Sequence, residues 1–301
     1  MNKWLNPYMA LAVGVITVSA SAIFVKLADA PAGVIAFYRL FFSVIFLLPI
    51  FLWKYVGELK NITKRDWFFS AIAGTFLAFH FILWFESLNY TSVASSTVLV
   101  TLQPLFAFLG TYIFFRERLS ARAIISGILA VTGSFIISWG DFKISGMALF
   151  GDFLALIACA LVTAYLLFGQ DVRKRVSIIT YTFIVYSFSC LTLFIYVLIS
   201  GDSFTNYAAS DWFWFIMLAI FPTLLGHSLF NWAIKYISTN VISMAILFEP
   251  IGAAVLAYFV LEEIVTYSQF AGGLLVILSV GYFLRSNRKR RVEPTLPVGG
   301  E

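Results

Sequence analysis

Apolar residues run along this chain in long blocks, with most polar residues gathered between them. The blocks cover roughly 7–26, 33–54, 67–86, 92–115, 120–139, 147–168, 178–200, 211–233, 238–260 and 267–285. A hydrocarbon core about 30 Å thick takes roughly 20 residues of helix, so each block predicts one membrane-crossing helix. The connections are short and leave no room for an inserted soluble domain. The expected fold is an all-α integral membrane protein with ten transmembrane helices. The stretch Val18–Ala22 resembles a leader cleavage site, but its apolar block is long and nine more follow, so it reads as the first anchor.

Composition supports the membrane class. The 301 residues are 61% hydrophobic and 12% charged, against about 25% charged in soluble domains. A net charge of +5 would suggest nucleic acid in a soluble protein. Here the basic residues sit between apolar blocks, where they orient a chain in the bilayer. With the N-terminus inside, Lys54, Lys60, Lys64, Arg65, Arg116, Arg118, Arg122, Arg173, Lys174, Arg175, Lys235 and the cluster at 285–291 all fall on the cytoplasmic side. The outer loops hold only Lys26 and Lys143. Both termini are therefore expected in the cytoplasm, and the basic, then Pro/Gly-rich tail 286–301 is expected to be disordered there.

Several chemistries find no support. Cys159 and Cys190 lie inside apolar blocks and suggest neither a disulfide framework nor a metal motif. His80 and His227 are too few and too far apart in sequence to argue for a metal site. There is no nucleotide-binding loop, HExxH, G-x-S-x-G or carboxylate pair within the blocks. No cofactor and no enzyme activity are expected, and ATP is not the driver. Glu262 and Glu263 fall at the outer end of the ninth block, as a solvated gate or a helix-end feature.

An internal repeat appears at an offset of 146 residues. It pairs Tyr90 with Tyr236, Ser92 with Ser238, Pro104 with Pro250, Tyr112 with Tyr258, Glu117 with Glu263 and Gly127 with Gly273. Each copy holds five blocks, an odd number, so the second copy is inverted relative to the first. The halves are 1–139 and 147–285. Inverted repeats place a substrate site near the midplane, between the halves.

The five-plus-five layout, Arg39 in AFYRLFFS, the FEP…LEE pattern of the ninth block and QP…FRERL of the fourth resemble the EamA-type branch of the drug/metabolite transporter superfamily. The resemblance covers roughly residues 8–285. It implies a carrier of the bacterial plasma membrane, often an exporter of amino acids or other small metabolites. Relatives with this fold also move nucleotide sugars and phosphorylated sugars, but this chain shows no obvious basic set within the blocks for a phosphate.

The residues that interrupt the blocks are the candidates for transport. Glu249 lies midway along the ninth block, where an ionised carboxylate costs about 2.5–3.5 kcal/mol. It can be tolerated by facing a wet cavity, pairing with a cation or carrying a proton. Pro250 follows at once, and Pro104 stands at the matching point of the fourth block with Gln103 in the place of Glu249. Kinks are expected at Ile246 and Val100. Matching kinked helices point to a transport pathway, although two structural kinks with buried polar residues would look the same in sequence.

Arg39 has three readings: an ion pair with Glu249, a substrate carboxylate, or snorkelling to the outer interface. His80 and Trp84 share a helical face, as do His227 and Asn231. Ser19, Ser21 and Thr163 offer hydroxyls, and Tyr165 an aromatic wall. Together these predict an alternating-access secondary carrier of a small organic metabolite; the resemblance implies amino acids or related compounds as the substrate and export as the direction. The alternatives are sugars or nucleotide sugars as substrate, or a channel. Expected partners are the substrate, membrane lipids and protons as coupling ion, with no nucleic acid, in a monomer or weak homodimer.

Overall fold

The computed structural model describes residues 6–116, 120–138, 146–264 and 266–292, and no strand occurs among them. In chain order the helices are α1 (Pro7–Ser19), α2 (Ser21–Leu27), α3 (Ala32–Ile50), α4 (Lys64–Ser87), α5 (Val93–Val100), α6 (Gln103–Phe115) and α7 (Ala121–Ser138). They continue as α8 (Gly146–Val172), α9 (Ile178–Ser200), α10 (Ala209–Leu218), α11 (Ser228–Ala233), α12 (Thr239–Ile246), α13 (Glu249–Val260) and α14 (Tyr267–Val292). Eight paths are long and apolar enough to cross a membrane, five of them made of consecutive shorter elements. The apolar parts of α7 and α14 are shorter, at Ala121–Ile136 and Phe270–Phe283.

Helix starts follow from local chemistry. Thr63 Oγ1 accepts from Asp66 N at 3.1 Å and donates to Asp66 Oδ2 at 2.7 Å, closing the N-terminus of α4. Ser92 caps α5 by accepting from Ser95 N at 3.1 Å, and Ser177 caps α9 by accepting from Thr180 N at 3.3 Å. Each cap satisfies an amide that the helix itself leaves without a partner.

Three expectations change. The fourth and ninth blocks are not kinked helices but broken ones, with α5 ending at Val100 and α6 starting at Gln103, and α12 ending at Ile246 and α13 starting at Glu249. Pro104 and Pro250 each lie in the first turn of the second piece, where a missing N–H leaves no bond unmade. The tail is also shorter than expected. α14 continues to Val292, because Arg and Lys favour helix and no breaker intervenes before Pro294. Finally, the path from α10 to α11 passes through a π-helical segment, Ala219–His227, around Pro222. Pro222 cannot donate to Leu218 O, and Thr223 Oγ1 donates to that carbonyl instead, at 2.8 Å. The expectations for Glu117, Arg118, Lys143 and the tail from 293 lie outside the described residues.

α4 packs on α8 and α9, α3 on α9, α7 on α14, and α1 on the π-helical segment and α11. The broken helices cross, with α5 against α13 and α6 against α12. Close approach of α1 relies on Gly14 and Gly226: a Cβ on Gly14 would lie 2.6 Å from the Phe230 ring, and one on Gly226 2.4 Å from Val18 Cγ2.

The two ends of the bundle differ. Where α8 turns into α9, polar contacts are dense. Gln170 Oε1 accepts from Thr239 N at 2.9 Å and Thr239 Oγ1 at 2.6 Å, and Asn240 Nδ2 donates to Thr111 Oγ1 at 2.9 Å. Arg173 is 2% exposed and donates to Asn231 O at 2.9 Å and to Val176 O. Burial draws its guanidinium below the ordinary arginine pKa. At the opposite end, a cavity of about 370 Å³ opens beside Lys26, Asp29, Phe85 and Asn89, and Lys26 Nζ donates across to Leu88 O at 2.7 Å.

Candidate functional site

The two helix breaks bring Gln103 and Glu249 to one enclosed cavity of about 20 Å³, room for about one water. Gln103 is the first residue of α6 and Glu249 the first of α13, so each polar side chain stands at the positive end of a half-helix. His80 and Trp84 of α4 and His227 complete the polar lining. Val18, Val162, Leu166 and Phe230 supply apolar walls, and no Lys or Arg takes part.

The lining is rich in polar atoms without partners. Among the described residues, the Glu249 carboxylate makes no hydrogen bond or ion pair, although its backbone oxygen accepts from Ser19 Oγ at 3.2 Å. Trp84 Nε1, Gln103 Oε1 and His227 Nδ1 are buried without a partner. His80 Nδ1 lies 2.9 Å from Ala158 O. A carbonyl only accepts, so Nδ1 carries the hydrogen and a neutral ring keeps Nε2 as an acceptor. The cavity thus offers a carboxylate, an amide oxygen, an imidazole acceptor and an indole donor. Unsatisfied buried polar groups cost about 1–3 kcal/mol each. Several around one small cavity describe a place built for a polar occupant.

Arg39 sits beside this cavity rather than in it. It is fully buried, donating from Nε to Thr223 Oγ1 at 2.7 Å and from Nη1 to Ser21 Oγ at 2.8 Å. Its guanidinium lies 4.0 Å from the Phe81 ring centroid, a contact worth about 2 kcal/mol when desolvated. No carboxylate pairs with it among the described residues, and Nη2 has no partner. The expected ion pair with Glu249 is therefore absent, and snorkelling is ruled out by burial. The π-helical segment is what carries Thr223 to Arg39, and sequence periodicity holds no sign of it.

Four more candidates lie away from the cavity. Tyr165 and Asn231 are buried and bonded to each other, Asn231 Nδ2 donating to Tyr165 Oη, and neither lines it. Ser21 serves Arg39. Thr163 turns inward on its own helix, donating to Cys159 O at 2.8 Å. His80, Trp84, Gln103, His227 and Glu249 do converge, from four separate blocks and both halves of the sequence. Arg173 was expected in a cytoplasmic loop as an orienting charge. It is buried instead, because the carbonyls at the end of α11 and in the turn before α9 need a donor.

Comparison with known proteins agrees with this architecture. The model of the EamA-like transporter family matches residues 5–139 and 149–285. An "Uncharacterized transporter" of Archaeoglobus fulgidus is 21% identical over 274 residues, covering 90% of this chain and 93% of that protein. "Riboflavin transporter ImpX" of Fusobacterium nucleatum is 24% identical over 253 residues, covering 79% and 85%. A crystal structure superposes with a TM-score of 0.74 at 15% identity, over 94% of this chain and 98% of that one, which establishes the shared fold alone. With its family matched in two segments spanning most of its length, and its apolar helices long enough to cross a bilayer, this chain belongs to the EamA-like transporter family and is a multi-pass membrane protein.

Proposed function

We propose that the chain is an alternating-access carrier of a small organic metabolite, with ten transmembrane helices in two inverted five-helix halves, 1–139 and 147–285. The observation that carries this reading is the meeting of two broken helices at one polar cavity. Each break leaves a polar side chain at a half-helix N-terminus, the arrangement by which carriers hold substrate near the midplane. The crossed packing of α5 on α13 and α6 on α12 supports inversion, as does the double family match.

The cavity as it stands has room for about one water and is too small for a metabolite, so the reading takes it as an occluded form that widens to bind. The dense contacts around Arg173, Gln170 and Thr239 form the closed cytoplasmic gate. The cavity beside Lys26 forms the outer vestibule. Both termini are cytoplasmic on the charge pattern, and the membrane is the bacterial plasma membrane.

Amino acids and related compounds fit best. The carboxylate and acceptors around Glu249 suit an ammonium group, and Trp84 and Phe230 suit an apolar body. Export is the direction, and Glu249 exchanges a proton against substrate. The test is counterflow in proteoliposomes preloaded with unlabelled amino acids, riboflavin or sugars, with a labelled compound of each class outside. Saturable accumulation of amino acids alone supports the reading. Accumulation of riboflavin alone moves the chain toward the compound in one relative's name. Flux that rises linearly with concentration argues for a channel.

A further inference from the structure

A second cavity, of about 140 Å³, lies on the other side of α8 from the first. Its walls are Phe69 of α4, Phe114 and Phe115 at the end of α6, and Leu167 and Phe168 of α8, with Arg65 and Asp171 at the rim. The rings are fitted to one another, Phe69 meeting Phe168 edge-on at 5.1 Å and Phe114 lying 6.1 Å from Phe168. Phe114 is 62% exposed, so the cavity opens sideways out of the bundle.

The vertical arrangement is amphipathic. Arg65 and Phe69 are four residues apart, about 6 Å along a helix, so charge sits directly above the aromatic pocket. Arg65 is 64% exposed at its side chain, lies 4.9 Å from the Phe69 ring, and bridges Asp171 at 3.1 Å. Lys174 Nζ lies 5.0 Å from the Phe115 ring. Lys64 and Arg116 are exposed nearby, Arg116 ending α6 in the left-handed conformation at φ 53°. Among the described residues, the one acid lining the cavity, Asp171, is already bridged by Arg65 and Arg175. Among the described residues, the rim therefore keeps a surplus of positive charge at the cytoplasmic end of α4 and α8.

We propose that this cavity binds one anionic phospholipid, with its phosphate at Arg65 and Lys174 and the start of an acyl chain among Phe69, Phe114 and Phe168. Charge complementarity selects the headgroup, and the phenylalanine walls take the chain. The occupant would brace α6 against α8. Leu167 faces this cavity while Leu166 faces the polar one, and a Cβ on Gly110 of α6 would lie 2.2 Å from Leu167 Cδ1. Bound lipid therefore bears on the same two helices that carry Gln103 and Leu166.

The test uses the full chain in phosphatidylcholine nanodiscs, with Phe114→Trp as reporter and Phe168→Trp as an independent second one. Quenching beyond the wild-type background is read with brominated phosphatidylglycerol or brominated phosphatidylcholine at equal mole fraction. Phosphatidylglycerol should quench at several-fold lower mole fraction. Replacing Arg65 and Lys174 by Gln should weaken that preference by about fivefold for each side chain, while Lys60→Gln with Lys235→Gln, on the same face but outside the pocket, should leave it unchanged. Equal quenching by both lipids overturns the proposal. So does equal loss in the control, which would mean diffuse attraction to a positive surface.

Discussion

At one helix break the new helix begins with an amide, Gln103, and at the other with a carboxylate, Glu249. The two stand at matching positions of the repeat, each followed by proline and each facing the same cavity. A half-helix N-terminus favours a negative charge by about 0.3–1 kcal/mol at exposed sites and up to about 2 kcal/mol in partly buried ones. That falls short of the 2.5–3.5 kcal/mol a carboxylate costs at membrane depth. An amide at Gln103 needs no such offset, so it is consistent with a static role. Among the described residues no cation lines the cavity beside Glu249, although Arg39 stands next to it; on the proposed reading a proton or an ammonium group from the substrate supplies the balance. On the proposed reading, the difference between the halves puts the chemistry in α13 and makes α6 its structural counterpart.

The most disruptive way to test that difference is Gln103→Glu, which puts a second carboxylate on a cavity that already holds one. We expect a loss of stability of about 3 kcal/mol, seen as a lower thermal midpoint in detergent. Adding Glu249→Gln to that variant restores a single carboxylate and should recover most of the loss. If it does not, position rather than charge number distinguishes the breaks.

Next comes packing. A Cβ on Gly252 of α13 would lie 2.4 Å from Ser19 Oγ, while the matching position in α6 is Phe106. Gly252→Ala should cost about 1–3 kcal/mol by overpacking against α1, measured by the same thermal shift. A smaller contrast lies at the entrances to the two paths. Ser92 caps α5, whereas Ser238 makes no capping bond to α12. Ser92→Ala should cost about 1 kcal/mol and Ser238→Ala close to nothing. The smallest effect is expected from Pro104→Ala and Pro250→Ala, about 0.4–1 kcal/mol each through the unfolded chain, because both prolines already occupy a first-turn position. A larger loss at either would mean that proline, and not the packing of the two pieces, holds the helix open.

Much of this architecture is legible in the sequence. Block length and the positions of lysine and arginine mark most helix ends, since the bilayer imposes both. Gln103, Glu249, His80, Trp84 and His227 stand out because polar residues are costly in apolar blocks. What periodicity conveys is a face, and which neighbour meets that face is decided by packing across the chain. That is why Asn231 donates to Tyr165 and neither lines the cavity. It is also why Arg39 finds Thr223 on a π-helical turn created by Pro222, and why Arg173 reads as a surface charge when it is buried against carbonyls. The breaks at Thr101–Leu102 and Leu247–Phe248 read as kinks because proline marks the place but not the number of hydrogen bonds lost.

The central claim is that Glu249 couples transport to protons. It is tested most directly by uptake of labelled substrate into proteoliposomes, with and without an imposed pH gradient, for wild type and Glu249→Gln. The account predicts saturable uptake that responds to the gradient in wild type and loses that response in the variant. Saturable uptake with the same pH response in both proteins would contradict it and make Glu249 a structural residue.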